Sequence, residues 1–155
     1  MDDFQKARAL LKSFKGDKYL YGSGVLDRVG AVAASAGKKA ILVRDSFPGS
    51  GRFTEVLEDS LKRNGVEVIA EADGAGPNCP REDLFRISEA VKQARPEVIV
   101  SFGGGSTIDA AKAAEVLRTL GGDIEQYFGT GLVTQTVQSS GNNLSPHVAI
   151  QTAAS

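Results

Sequence analysis

The stretch from Val98 to Lys112 constrains this chain more than any other. Val98-Ile99-Val100-Ser101-Phe102 is a short apolar run, Gly103-Gly104-Gly105-Ser106 follows at once, and a helical pattern then runs from about Thr107 to Leu120, where Gly121-Gly122 ends it. An apolar run of that length, bounded by turn residues, reads as a strand buried on both faces, as in a parallel sheet. Glycines let the backbone turn without Cβ atoms standing between its N–H groups and a ligand. The first N–H groups of a helix have no partner within it, and the helix dipole adds partial positive charge there. Strand, glycine turn and helix start together form a site for phosphate or pyrophosphate. Such a turn lies beyond the carboxyl end of a strand, where open α/β sheets bind ligands. The competing reading is a tight strand-to-helix turn that binds nothing. The spacing matches neither the Gly-x-Gly-x-x-Gly fingerprint nor the Gly-x-x-x-x-Gly-Lys-Ser/Thr loop. Asp109 and Lys112, three apart, share a helix face and on their own read as a surface ion pair.

The rest of the chain repeats the strand-then-helix unit. Lys18-Tyr19-Leu20-Tyr21 predicts a short strand, broken by Gly22-Ser23-Gly24. Val25 to Ala36 predicts a helix that Gly37 stops. Ala40-Ile41-Leu42-Val43 predicts a second buried strand, with Asp45 just past it. A helix is expected from about Thr54 to Arg63, then a strand over Val66–Ala70, a loop over Asp73–Pro80 and a helix over Glu82–Ala94 that Pro96 ends. Leu132 to Val137 alternates and predicts a β-hairpin arm, and Val148-Ala149-Ile150 one more buried strand. The expected fold class is α/β, an open, mainly parallel sheet with helices on both faces.

Length and charge exclude other classes. At 155 residues the chain is of one-domain size, and 41% hydrophobic residues suffice for a core. Eighteen basic and 19 acidic residues, with no basic block, exclude nucleic acid as a partner. No apolar run approaches the roughly 18 residues of a membrane span. One cysteine, Cys79, and no apolar segment after Met1-Asp2-Asp3 predict a reducing, cytoplasmic setting. One histidine, His147, cannot build a multi-histidine metal site. His147, in a polar segment, is expected at the surface, and Cys79 is expected to be an unreactive loop residue. A finish only a few residues past a predicted core strand leads us to expect a fragment.

Gly103-Gly104-Gly105-Ser106-x-x-Asp109-x-x-Lys112 resembles the signature of the iron-containing (group III) alcohol dehydrogenase family. Other segments follow in family order. Tyr19-Leu20-Tyr21-Gly22-x-Gly24 resembles its opening strand and glycine turn, and Lys39 to Asp45 its first nucleotide strand. Pro77-Asn78-Cys79-Pro80 resembles its Pro-Asn-Pro loop, and Ile150–Ala154 the start of its Ile-Pro-Thr-Thr-Ala-Gly-Thr segment. Gln151 and Ala153 depart from that last pattern.

The resemblance implies a dehydroquinate synthase-like N-terminal domain over residues 1–155 that binds a nicotinamide dinucleotide. The family's all-helical metal domain, whose ligands for Fe2+ or Zn2+ are normally one Asp and three His, is absent from this chain. Gly104, Gly105 and Ser106 would hold the pyrophosphate, with Gly103 and Asp109 of the same motif among the cofactor-binding positions. Asp45 would accept hydrogen bonds from the adenosine ribose, Asn78 would lie near the phosphates, and Thr152 near the phosphates or nicotinamide. An acid at Asp45 favours NAD over NADP, although Arg44 beside it could accept a 2′-phosphate. Read without the family, Asp45 is equally a turn cap and Asn78 a loop amide. The implied activity of the full enzyme is hydride transfer between an alcohol or aldehyde and NAD(P), with the isolated chain inactive. Glycerol dehydrogenase, glycerol-1-phosphate dehydrogenase and dehydroquinate synthase share the turn and remain alternatives, as does a non-catalytic nucleotide-binding or interaction module. The family also implies a homodimer that pairs through the N-terminal segment.

Overall fold

The computed structural model describes residues 2–16 and 18–153, so Ala154 of the Ile150–Ala154 segment lies outside it. The chain opens with helix α1 (Asp3–Lys15), which the hydrophobic pattern alone did not announce. Its start is set by a reciprocal cap, in which Asp2 Oδ1 accepts the Gln5 N–H and the Gln5 side chain accepts the Asp2 N–H. None of its residues is buried, and Phe4 and Phe14 are more than four-fifths exposed.

A 3-10 turn (Val25–Arg28) leads into α2 (Val29–Ala34), so the expected Val25–Ala36 helix is split and shorter. Strand β1 (Lys39–Arg44), α3 (Ser50–Arg63), β2 (Glu67–Asp73), α4 (Arg81–Ala94), β3 (Val98–Gly103) and α5 (Gly105–Leu120) follow. These units stand where the sequence placed them. A second 3-10 turn (Ile124–Tyr127), α6 (Leu132–Ser140) and β4 (His147–Gln151) complete the order.

The sheet has the order β2-β1-β3-β4, and every pair is parallel. Arg44 stands beside Phe102 and Asp73, and Gly103 beside Gln151, so all four strands end along one edge. Helices cover both faces because alternate strand residues point opposite ways. Ile41, Val43 and Ile99 pack with α4 and α5 through Leu84, Ile87, Val91, Ala110 and Ala114. Ala40, Leu42, Val98 and Val100 pack with α2 and α3 through Val29, Ala33, Leu57 and Leu61. All seven of these strand residues are fully buried, as the unbroken apolar runs required.

Two expected strands are not formed. Lys18–Tyr21 lies outside the sheet, and the Tyr19 and Tyr21 rings stack on each other, centroids 5.9 Å apart, with nearly half of each residue exposed. A four-residue segment with no neighbouring strand has nothing to pair with. The Leu132–Val137 hairpin arm is instead the first two turns of α6. Leu132, Val133, Thr136 and Val137 also fit a helical period, and the Thr136 hydroxyl donates to the Leu132 carbonyl at 2.9 Å. Gly131 and Gly141, both with left-handed φ, bracket that helix. Among the described residues no helix is long and apolar enough to cross a membrane.

Candidate functional site

The chain order reverses between β1 and β3: the chain steps from β1 outward to β2, then crosses to β3 on the other side. The carboxyl ends of strands at such a switch point form the crevice in which α/β sheets bind ligands. Here those ends are Arg44-Asp45 and Gly103-Gly104.

Asp45 joins them. Its Oδ2 accepts the Gly104 N–H at 2.8 Å, and its Oδ1 accepts the Thr107 hydroxyl. The Asp45 N–H donates to the Phe102 carbonyl at 2.9 Å, completing the strand pairing at its last rung. Thr107 Oγ1 in turn accepts the Ala75 N–H at 2.9 Å, which draws the loop after β2 onto the start of α5. Thr107 is fully buried at the third position of α5. It belongs to the candidate site and was missed by sequence reasoning, because the signal lay in the glycines beside it. The only signal for it was a hydroxyl in a helix's first turn.

Two glycines make room for this knot. A Cβ at Gly74 would lie 2.0 Å from Asp45 Oδ1 and 2.4 Å from Thr107 Oγ1. A Cβ at Gly103 would lie 2.5 Å from Asp45 Oδ2 and 2.9 Å from Thr107 Cβ. Gly105 differs: nothing stands within 4 Å of the place its Cβ would occupy, so its side faces open space.

The helix α5 begins at Gly105, and its first intrahelical acceptor, the Gly104 carbonyl, is taken by the Ile108 N–H at 3.1 Å. The Gly105 and Ser106 N–H groups find no acceptor among the described residues, and no side chain caps them. They stand at the positive end of a 16-residue helix. These are the donors an anion needs, and the Gly104 N–H, spent on Asp45, is not among them.

The remaining predicted positions arrange around this turn. The Thr152 N–H donates to the Gly103 carbonyl at 3.0 Å, so the end of β4 lies against the turn, with Thr152 exposed. Asn78 is exposed in the loop after β2, with φ 63°, and Cys79 follows at φ 50°. Asp83 fixes that loop by accepting the Gly76 N–H at 2.9 Å, and this bond, helped by Arg86, holds its carboxyl below the usual range. Asp109 is exposed and pairs with Lys112 at 3.3 Å, the plain surface pair its spacing suggested. Burial pushes the Cys79 thiol up, with the charges of Asp109 and Asp83 adding to it, so this cysteine is not a thiolate at neutral pH.

His147 corrects the sequence reading. It is half-buried in β4, not a surface residue, and its Nε2 lies 2.7 Å from Ser101 Oγ on the neighbouring strand. It sits at the opposite end of β4 from the glycine turn. Among the described residues no group of three or more His, Cys, Asp or Glu side chains is placed to hold a metal ion.

Comparison with known proteins agrees with this geometry. The iron-containing alcohol dehydrogenase family matches residues 16–155. An NAD-dependent methanol dehydrogenase from Bacillus methanolicus is 32% identical over 134 residues, which cover 86% of this chain and 33% of that protein. An NADPH-dependent butanol dehydrogenase from Clostridium saccharobutylicum is 38% identical over 96 residues, 60% of this chain and 23% of that protein. Among solved structures, a 1,3-propanediol oxidoreductase superposes with a TM-score of 0.69 at 30% identity, over 85% of this chain and 33% of that one. The chain thus spans about a third or less of the length of these relatives. With nine-tenths of its residues inside the family match, the chain belongs to the iron-containing alcohol dehydrogenase family.

Proposed function

We propose that this chain is the nicotinamide-dinucleotide-binding part of a metal-dependent alcohol dehydrogenase. The observation that carries the reading is the pair of unpartnered N–H groups at Gly105 and Ser106, beside the open side of Gly105 at the switch point of the sheet. They would hold the pyrophosphate. Asp45 keeps the turn in shape, and each of its oxygens retains a further lone pair for the adenosine ribose. Gly103 makes room for the Asp45–Thr107 pair beneath the turn, Thr152 lines the side toward β4, and Asn78 and Asp109 flank the loop on the side toward β2.

The cofactor, when bound, accepts or delivers the hydride; this chain binds and orients it. The reaction assigned to the whole protein is oxidation of an alcohol, or reduction of an aldehyde, with NAD as the dinucleotide. The family's metal finds no ligand cluster among the described residues, so we assign its ligands and the substrate pocket to sequence beyond this chain. The 155-residue chain alone is then inactive. A reducing compartment such as the cytoplasm suits the unpaired Cys79. Pairing of two copies through the exposed Tyr19–Tyr21 segment belongs to the same reading.

Calorimetric titration of the chain with NAD tests the assignment, with Gly105→Ala as the control. Alanine there meets no atom and improves the first position of the helix, yet it puts a methyl group where the pyrophosphate must approach. Folding is expected to be unchanged and NAD affinity to fall at least about tenfold. Binding of neither NAD nor NADP by the wild-type chain would remove the reading.

A further inference from the structure

The residue before Asp45 is Arg44, and the pair presents opposite charges at the end of β1. Neighbouring strand residues point to opposite faces. The Asp45 carboxylate turns toward α5 and is bound by Gly104 and Thr107. Arg44 instead lies beside Glu71 of β2, with its Nε donating to Glu71 Oε2 at 3.2 Å. About 29% of the Arg44 side chain and 46% of the Glu71 side chain is exposed. The two terminal guanidinium nitrogens of Arg44 have no partner among the described residues.

We propose that Glu71 sets the dinucleotide preference of this chain, by neutralising Arg44 and so denying a 2′-phosphate the guanidinium it would need. The inference rests on the dinucleotide reading of the glycine turn. An arginine near the ribose is the usual device for a 2′-phosphate, as an acid is for a free 2′-hydroxyl. This strand end carries both, and the surrounding charge decides between them. Asp45, Glu71 and Asp73, the register partner of Arg44, set three carboxylates around the Arg44 guanidinium, while the second guanidinium at this edge, Arg86, holds the Asp73 and Gly74 carbonyls and is matched by its own partner, Asp83. A phosphate monoester adds roughly −1.5 to −2 more. With Glu71 ionised, the edge repels that group even though Arg44 is present. With Glu71 neutral, Arg44 keeps its two free terminal nitrogens and its full charge, and planar guanidinium forks bind phosphate oxygens in pairs.

The experiment titrates NAD and NADP separately into the wild-type chain and into Glu71→Gln, at one fixed salt concentration, by calorimetry. The wild type is expected to bind NAD more tightly than NADP. Glu71→Gln is expected to raise NADP affinity relative to NAD by about tenfold, the scale of one charge-assisted hydrogen bond. Adding Arg44→Gln to that variant should abolish the gain. Glu71→Ala, which also removes the charge, should act in the same direction, so the test does not hang on one variant folding. A ratio that stays within twofold of wild type in both Glu71 variants overturns the proposal. So does a gain that survives the loss of Arg44, or a wild type that already prefers NADP. If the wild type binds neither dinucleotide, the dinucleotide reading itself fails and carries this inference with it. If NAD binds and only the ratio stays fixed, the Glu71 assignment alone falls.

Discussion

The carboxylate of Asp45 accepts the backbone N–H of Gly104 at 2.8 Å across 59 residues of chain. That bond ties the end of the first sheet strand to the turn that opens α5, and the Thr107 hydroxyl on the other oxygen closes the knot. An acid expected to read the ribose is therefore also a structural clamp on the donors beside it. Whatever binds at the turn meets amides that are already held in place.

Removing this clamp should be measurable without any ligand. Asp45→Ala leaves the Gly104 N–H without its acceptor and the Thr107 hydroxyl with only the Ala75 carbonyl at 3.4 Å, which costs roughly 1–3 kcal/mol for such groups. Asp45→Asn keeps one oxygen acceptor and should cost less. Urea unfolding of the three proteins checks the order. Equal stability of Asp45→Ala and wild type would mean that water replaces the carboxylate freely and that the clamp is idle.

The glycines around the clamp make a sharper prediction, because two of them are closed and one is open. Gly74→Ala and Gly103→Ala each place a methyl group within 2.5 Å of a carboxylate oxygen that is itself hydrogen bonded. Overpacking of this kind costs about 1–3 kcal/mol. Both variants should melt below wild type in a thermal scan monitored by circular dichroism. Wild-type melting of either one would show that Asp45 swings aside easily, against the geometry described.

What could be read in the sequence, and what could not, divides along the range of the interactions. The apolar runs at 40–43 and 98–100 marked central strands because burial on both faces leaves almost no polar position. The glycine run marked the turn because glycine is needed there for local reasons. Thr107 and Gly74 could not be found this way, since each matters only through a contact with Asp45 from another part of the chain. The alternation at Leu132–Val137 misled because a short segment of that composition satisfies both periods, and the flanking glycines decide for the helix. Lys18–Tyr21 misled because β-forming residues make a strand only where another strand pairs with them. His147 looked exposed from its polar neighbours, yet β4 runs beside β3 and brings Ser101 against its ring.

A second long-range tie predicts how β4 is held. Glu115 of α5 is buried, with about 3% of its surface exposed. It accepts two bonds from Arg118 at 2.7 Å, one from Thr119 at 2.9 Å and the Ser145 N–H at 2.6 Å, just ahead of β4. Burial works against its charge, but those donors hold its carboxyl below the usual range overall. Glu115→Leu strands the Arg118 charge and should cost about 3–5 kcal/mol, whereas the double variant with Arg118→Met should recover part of that loss. A denaturant series on both variants tests this. A double variant at least as unstable as Glu115→Leu would argue that the tie to Ser145, not the charge pair, carries the effect.

The ring of His147 should make the fold acid-sensitive above the range where carboxylates titrate. Burial, with the positive charge of Lys112 adding and Glu115 opposing, pushes its pKa down to about 4, from the ordinary 6.5. The unfolded chain therefore binds a proton at this site before the folded chain does. Stability contributed by the neutral ring is fully present above about pH 6.5 and is lost as pH falls toward 4, at most about 3 kcal/mol for a shift of that size. His147→Gln keeps a hydrogen-bonding partner for Ser101 but cannot titrate. Asp83, Glu97 and Glu125, whose folded pKa values are lowered, lose their own contributions on the acid side in both proteins, so they cancel in the comparison. Urea unfolding of wild type and His147→Gln at pH 7.5, 6 and 4.5 should show the wild type losing ground to the variant as pH falls. Two curves that stay parallel over that range would mean that the folded protein protonates the ring as readily as the unfolded chain does, and that the ring is not shielded by β3 and α5 as the geometry has it.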